Sequence, residues 1–159
     1  MSIDTTIDQD RDLVLTRVVN VSRDSLWRAW SDPDLLKTWF APKPWSVPEC
    51  EIDLRPGGIF RTVMQGPNGE SFDSTGCILD AVEGTRIVFT DALQPGYRPS
   101  SESFFTAIIT METVEGGTRY TAVAKHATAD ACQKHREMGF QEGWGTCLEQ
   151  LVAVAKSLG

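Results

Sequence analysis

The chain has 159 residues, 41% of them hydrophobic and 23% charged, and a net charge of −7 from 22 acidic and 15 basic side chains. A length of this order supports one domain with its own core and needs no disulfide or metal staple. The acidic balance argues against nucleic acid and anionic membrane surfaces, which require a basic patch, and no run reaches the ~18 apolar residues of a membrane span.

Residues 1–11 hold Asp4, Asp8 and Asp10 against Arg11. They are expected to form a flexible acidic N-terminus ahead of a single domain over 12–159. The start of the chain lacks the basic and apolar stretches of an export signal. Cys50, Cys77, Cys132 and Cys147 form no CxxC pair. Scattered cysteines without an export signal are expected to be reduced, which points to a cytoplasmic protein.

Residues 13–20, LVLTRVVN, are rich in β-branched side chains and predict a strand. Ser22 and the Asp32-Pro33 pair are helix-start signals. Two short amphipathic helices follow from them, one with Leu26, Trp27 and Trp30 on a stripe, the next with Leu35, Leu36, Trp39 and Phe40. APKPWSVP, 41–48, is a connector. The period then becomes two: Cys50, Ile52 and Leu54 alternate with charged residues, PGG at 56–58 turns the chain, and Phe60, Thr62 and Met64 alternate again. Asn68-Gly69 is a hairpin signal. The next strand, FDSTGCILDAV, carries Gly76 as an expected bulge. RIVFTDA, a polar loop over 93–103 and a hairpin closed by Gly116-Gly117 complete the strands. From Thr128 the helical period returns, and Phe140, Trp144, Cys147, Leu148, Leu151, Val154, Ala155 and Leu158 share a face.

Strands in succession with helices segregated predict an α+β fold. The expected architecture is a curved antiparallel sheet of about seven strands wrapped around a long C-terminal helix, with two short helices after the first strand. Such a grip can leave a cavity at one end of the groove. Gly139, Gly143 and Gly145 fall where the helix begins, although glycine in a helix interior costs about 1 kcal/mol against alanine. Their missing side chains make room either for a ligand or for Trp27, Trp30 or Trp39. Strand parity turns Tyr120, Ala122, Ala124 and His126 inward, together with Phe105, Ala107, Ile109 and Met111, and with Ile87, Phe89 and Asp91. The expected ligand wall is Phe60, Met64, Phe89, Asp91, Met111, Tyr120, His126, Met138, Phe140 and Trp144. Methionine and aromatic side chains repack around apolar ligands of different shape.

Asp91 and His126 share the inward parity, and converging on one cavity they could do acid/base work, with Tyr120 as a third catalytic candidate. Asp91 beside the long loop could equally cap a turn. Cys132 and His135 lie three apart, with His126 as the other histidine, and this is not zinc spacing. No metal is expected. No nucleophile elbow, phosphate loop or dinucleotide fingerprint is present, and no cofactor is expected. The 93–103 loop, as a lid, and the 41–48 connector are expected to flank the cavity mouth. Exposed Trp45 or Tyr97 could serve a homodimer.

Through DLRPGGIFR (53–61), RIVFTDA (86–92), MGFQEGWGTCLEQL (138–151) and the opening LTRVVNVSRDSLWRAWSDPDLLKTWFAP, the chain resembles the AHSA-type domains, named after activators of the heat-shock protein 90 ATPase. These belong to the START-like helix-grip superfamily, also called SRPBCC or polyketide-cyclase-like. The resemblance spans about residues 12–158 and rests on the order and spacing of these motifs together. It implies a helix-grip fold with a deep hydrophobic cavity between the long helix and the sheet. Members bind lipids or polyketide-like aromatics, some cyclise or hydrolyse them, and the name-giving members regulate a chaperone through a larger chain with a further N-terminal domain. A chaperone partner is therefore not expected. The leading expectation is binding of a small hydrophobic molecule. The alternatives are a cyclase or hydrolase acting on such a compound, and a chaperone-regulator type of interaction module. Fold alone does not choose among them.

Overall fold

Period-two burial builds the sheet and period-3.6 burial builds the helices that close it. The computed structural model describes residues 6–158, so the first five residues of the expected acidic terminus lie outside the described residues. In chain order the elements are β1 (Asp12–Val19), α1 (Arg23–Ser31), α2 (Pro33–Leu36), β2 (Ser46–Ile52), β3 (Ile59–Gln65), β4 (Ser71–Val82) and β5 (Arg86–Thr90). They continue with β6 (Leu93–Gln94), β7 (Arg98–Pro99), β8 (Thr106–Val114), β9 (Gly117–Lys125), α3 (Ala129–Glu137) and α4 (Phe140–Ser157). Seven strands form one curved antiparallel sheet in the order β1-β9-β8-β5-β4-β3-β2, while β6 and β7 pair with each other. The fold is the expected α+β helix grip.

Strand boundaries follow backbone requirements more than side-chain pattern. β2 takes in residues 46–48 of the segment expected as a connector, and Val47 is buried. Pro48 is tolerated there because β2 is the last strand of the sheet, where a missing N–H need not break a ladder. The bulge in β4 falls between Ile78 and Asp80, not at Gly76. Gly76 is needed because the Thr90 carbonyl oxygen occupies the space a Cβ would take. Residues 6–11 turn back on the end of β9: Asp8 Oδ1 accepts from the Asp10 and Arg11 amides, and Lys125 Nζ reaches Thr6 O at 3.0 Å and Asp12 Oδ2 at 2.9 Å.

Helix ends obey their capping chemistry. Ser22 Oγ accepts from the Ser25 amide to start α1, and Asp32 Oδ1 accepts from the Asp34 amide to start α2, with Pro33 at its first position. The C-terminal helical region is two helices, not one. Thr128 caps α3, and Gly139 at φ +90° then breaks the chain direction before α4. Among the described residues no helix is long and apolar enough to cross a membrane.

The core lies where α4 meets the concave face of the sheet. Leu148, Leu151 and Ala155 of α4, Leu26, Ala29 and Trp30 of α1, and Ile87, Ile109 and Ala122 of the sheet are all buried. Each large apolar side chain so placed contributes about 1.5–3 kcal/mol. Buried polar atoms in this region have partners: Trp30 Nε1 donates to Tyr120 Oη at 3.2 Å, and Trp39 Nε1 donates to Ala29 O at 3.0 Å.

Candidate functional site

The groove is filled under the second half of α4 and hollow under the first. A cavity of about 370 Å³ lies there, between α4, β9 and the aromatic residues that follow α1. The three glycines of this region do three different things. Gly139 supplies the left-handed turn between α3 and α4. Apart from its chain neighbours and the adjacent helix backbone, Gly143 has no described atom within 4 Å of its would-be Cβ, so the helix presents bare backbone to the cavity there. At Gly145 an added Cβ would lie 2.8 Å from Arg17 Nη2 of β1, so this glycine makes room for an arginine, not for a tryptophan.

Of the expected wall residues, Met64, Phe89, Tyr120, Met138, Phe140 and Trp144 line this cavity. Met138 is 67% exposed and stands at its mouth, beside Gly139. Phe60 and Asp91 line an adjoining cavity of about 210 Å³, which shares Phe40, Met64, Phe89 and Phe105 with the first. Met111 is fully enclosed in the core and lines neither. His126 also lies outside both, behind His135. The wall further contains Trp30, Trp39, Phe40, Phe104, Phe105 and His135, which the sequence reading did not place there. Phe105 already had inward parity. His135 and Cys132, three apart, are the buried residues of an otherwise polar α3, a spacing that marks its inner face.

The 93–103 loop does not lie over the cavity. It folds into the β6–β7 hairpin, whose Gly96 amide donates to Gly57 O, and it lines a separate surface groove with Asp91. Pro42 from the connector does reach the cavity wall. Trp45 is half-buried and stacks on Phe72 with ring centroids 5.9 Å apart, whereas Tyr97 is half-exposed.

Asp91 and His126 make no hydrogen bond to each other. Asp91 Oδ1 and Oδ2 accept from the Phe104 amide at 2.8 and 2.9 Å, and Oδ1 also from the Phe105 amide at 3.3 Å, so the carboxylate caps the start of β8. His126 Nδ1 lies 2.8 Å from Arg11 O, and its Nε2 lies 2.9 Å from His135 Nδ1. Burial, reinforced by the neighbouring His126, pushes His135 down to about 4, so its imidazole is neutral at pH 7. Burial pushes the Tyr120 hydroxyl well up, against the opposing pull of the Trp30 hydrogen bond. The Cys147 thiol at the cavity wall is pushed up to about 12 by burial, which leaves it a poor nucleophile. Cys132 Sγ accepts from Arg136 Nη2 at 3.8 Å, and all four cysteines are free thiols.

Comparison with known proteins places this arrangement. The sequence family described as Activator of Hsp90 ATPase homolog 1-like protein matches residues 20–156. The crystal structure of protein NE0264 from Nitrosomonas europaea is 46% identical over 95% of this chain and 97% of that one, with a TM-score of 0.92. Protein Ms6760 from Mycobacterium smegmatis is 26% identical, with 99% of each chain covered and a TM-score of 0.79. The AHSA1-like protein from Aeromonas hydrophila, 20% identical over 93% of this chain and 94% of its own, has the same fold at a TM-score of 0.70. Among curated proteins none matches. With a family match across most of its length and a near relative of the same fold, the chain belongs to the Activator of Hsp90 ATPase homolog 1-like family.

Proposed function

We propose that this protein binds a small, mostly apolar ligand in the cavity beneath the first turns of α4. The observation that supports the reading is the cavity's construction. About 370 Å³ is left open although the surrounding walls are large aromatic side chains, and the helix gives up a side chain at Gly143 where nothing else fills the space. An empty apolar space in a close-packed interior forgoes dispersion contacts that a guest restores.

The test is a plug. N-phenyl-1-naphthylamine, whose emission rises in apolar surroundings, is expected to bind the native protein with saturation. Gly143→Leu places a side chain in the open volume and is expected to abolish that binding. Its unfolding midpoint should stay at or above the native value, because replacing glycine inside a helix gains about 1 kcal/mol. A probe at 100 times its dissociation constant should raise stability by about 2.7 kcal/mol in the native protein and not in the variant. No saturable binding to the native protein, or equal binding to the folded variant, would refute the assignment.

A further inference from the structure

Little apolar burial holds α3 to the rest of the molecule. Of its nine residues only Cys132 and His135 are buried, whereas α4 buries Phe140, Gly145, Leu148, Leu151 and Ala155. An element with so few buried contacts opens at a lower free energy than the whole fold. Residues 126–128 lead into α3 from β9, and Gly139, at φ +90°, leads out of it into α4.

What fastens α3 is a hydrogen bond between its two ends. His126 follows β9 directly and His135 lies in the last turn of α3. His126 Nε2 is 2.9 Å from His135 Nδ1, and both rings are buried. On its other side His126 is anchored to the N-terminal turn. Arg11 O accepts from the His126 amide at 3.0 Å and lies 2.8 Å from His126 Nδ1.

This clasp has room for a fixed number of hydrogens. A carbonyl oxygen only accepts, so His126 Nδ1 carries a hydrogen. One further hydrogen fits between His126 Nε2 and His135 Nδ1, and in the uncharged pair His135 supplies it. A first added proton leaves that arrangement possible. A second puts hydrogens on both facing nitrogens, which ends the bond. It also sets two positive rings against each other with centroids 5.1 Å apart.

The surroundings do not offset that charge. Phe104, Phe105 and Phe140 pack on the His135 ring, with centroids 4.8, 5.1 and 5.3 Å away. Ahead of β1, Arg11 pairs with Asp8 at 2.8 Å, and Asp12 of β1 pairs with Lys125 of β9 at 2.9 Å. Asp91 is engaged by the Phe104 and Phe105 amides. On α3, Arg136 reaches Cys132 Sγ at 3.8 Å, while Asp130, Lys134 and Glu137 are exposed, as is Glu142 of α4. Tyr120 and Cys147, on the cavity wall, both keep their protons at neutral pH. Among the described residues no carboxylate hydrogen-bonds to either imidazole.

Resting on the proposed binding function, we infer that α3 is an acid-released lid: protonation of His126 and His135 breaks their bond, α3 swings on Gly139, and the part of the cavity wall that carries His135 opens for the ligand to leave. The direction follows from the protons taken up. An imidazole freed into water returns to the ordinary value of about 6.5, whereas the enclosed His135 is held at about 4. Opening therefore binds protons and is favoured as pH falls below about 6.5. From pH 7 to pH 5 the open fraction should rise about twentyfold through His135 alone.

The test is hydrogen exchange of the native protein at pH 7 and pH 5, read by mass spectrometry. Each rate is divided by that of an unstructured peptide at the same pH. Segment 129–138 should lose protection about twentyfold or more, and segment 148–157 should keep it. Unchanged protection in α3, or an equal loss in both segments, would overturn the lid. In His135→Phe the loss should largely disappear, and a folded variant that keeps it would overturn the role of the clasp. Release of N-phenyl-1-naphthylamine, timed by stopped flow, should quicken over the same range. A release rate that stays constant while α3 loosens would show that α3 is not the exit. If the native protein takes up no probe, the binding function falls, and exchange in α3 still decides whether acid frees the helix.

Discussion

His135 shows how one buried side chain ties stability to pH. Its imidazole is pushed from the ordinary 6.5 down to about 4, first by loss of hydration and then by its histidine neighbour. Below pH 6.5 the unfolded chain takes up this proton and the folded chain does not, so the unfolded state gains. The contribution of the neutral ring is therefore complete above pH 6.5 and is lost as pH falls toward 4. Urea midpoints of the native protein and of His135→Phe, compared between pH 7 and pH 4, should show a steeper acid loss in the native protein. Parallel curves would contradict the assigned burial. At neutral pH the same burial keeps the thiols of Cys50 and Cys147 protonated, at about 11 and about 12, so neither serves as a ready nucleophile.

At the level of elements, the junction between α3 and α4 decides where the cavity opens. Gly139 sits at φ +90°, a conformation that disfavours any residue with a Cβ. Gly143, one turn later, has ordinary helical backbone and open space around it. Replacing each by alanine should therefore have opposite effects. Gly139→Ala is expected to lose about 1–2 kcal/mol, and Gly143→Ala to gain about 1 kcal/mol, as read by urea denaturation. Equal signs would show that the two glycines share one role. The left-handed turn swings α3 so that His135 and Met138 meet the wall and mouth of the cavity, which a continuous helix from Thr128 would not do in the same way.

For the whole molecule, one helix serves as core at one end and as cavity roof at the other. Leu151, fully enclosed in the filled half, should cost about 2–5 kcal/mol when changed to alanine, measured by denaturation. Substitutions in the hollow half should move ligand affinity more than stability. The helix grip itself was legible in the amino-acid order, because β-branched and alternating segments from Leu13 to Lys125, the turn glycines and the apolar face from Phe140 to Leu158 are local signals. Half-legible was the cavity wall: strand parity found Phe89 and Tyr120, since alternation fixes which way a side chain points. Parity says nothing about depth, so Met111 stops in solid core and His126 stops behind His135, and neither reaches the cavity. Only the tertiary structure joined Trp30, Phe105 and His135 on one wall, and only it set His126 against Arg11 and His135 and Asp91 against the Phe104 amide. Those partners come from different elements, and which space stays empty depends on how all of them pack at once.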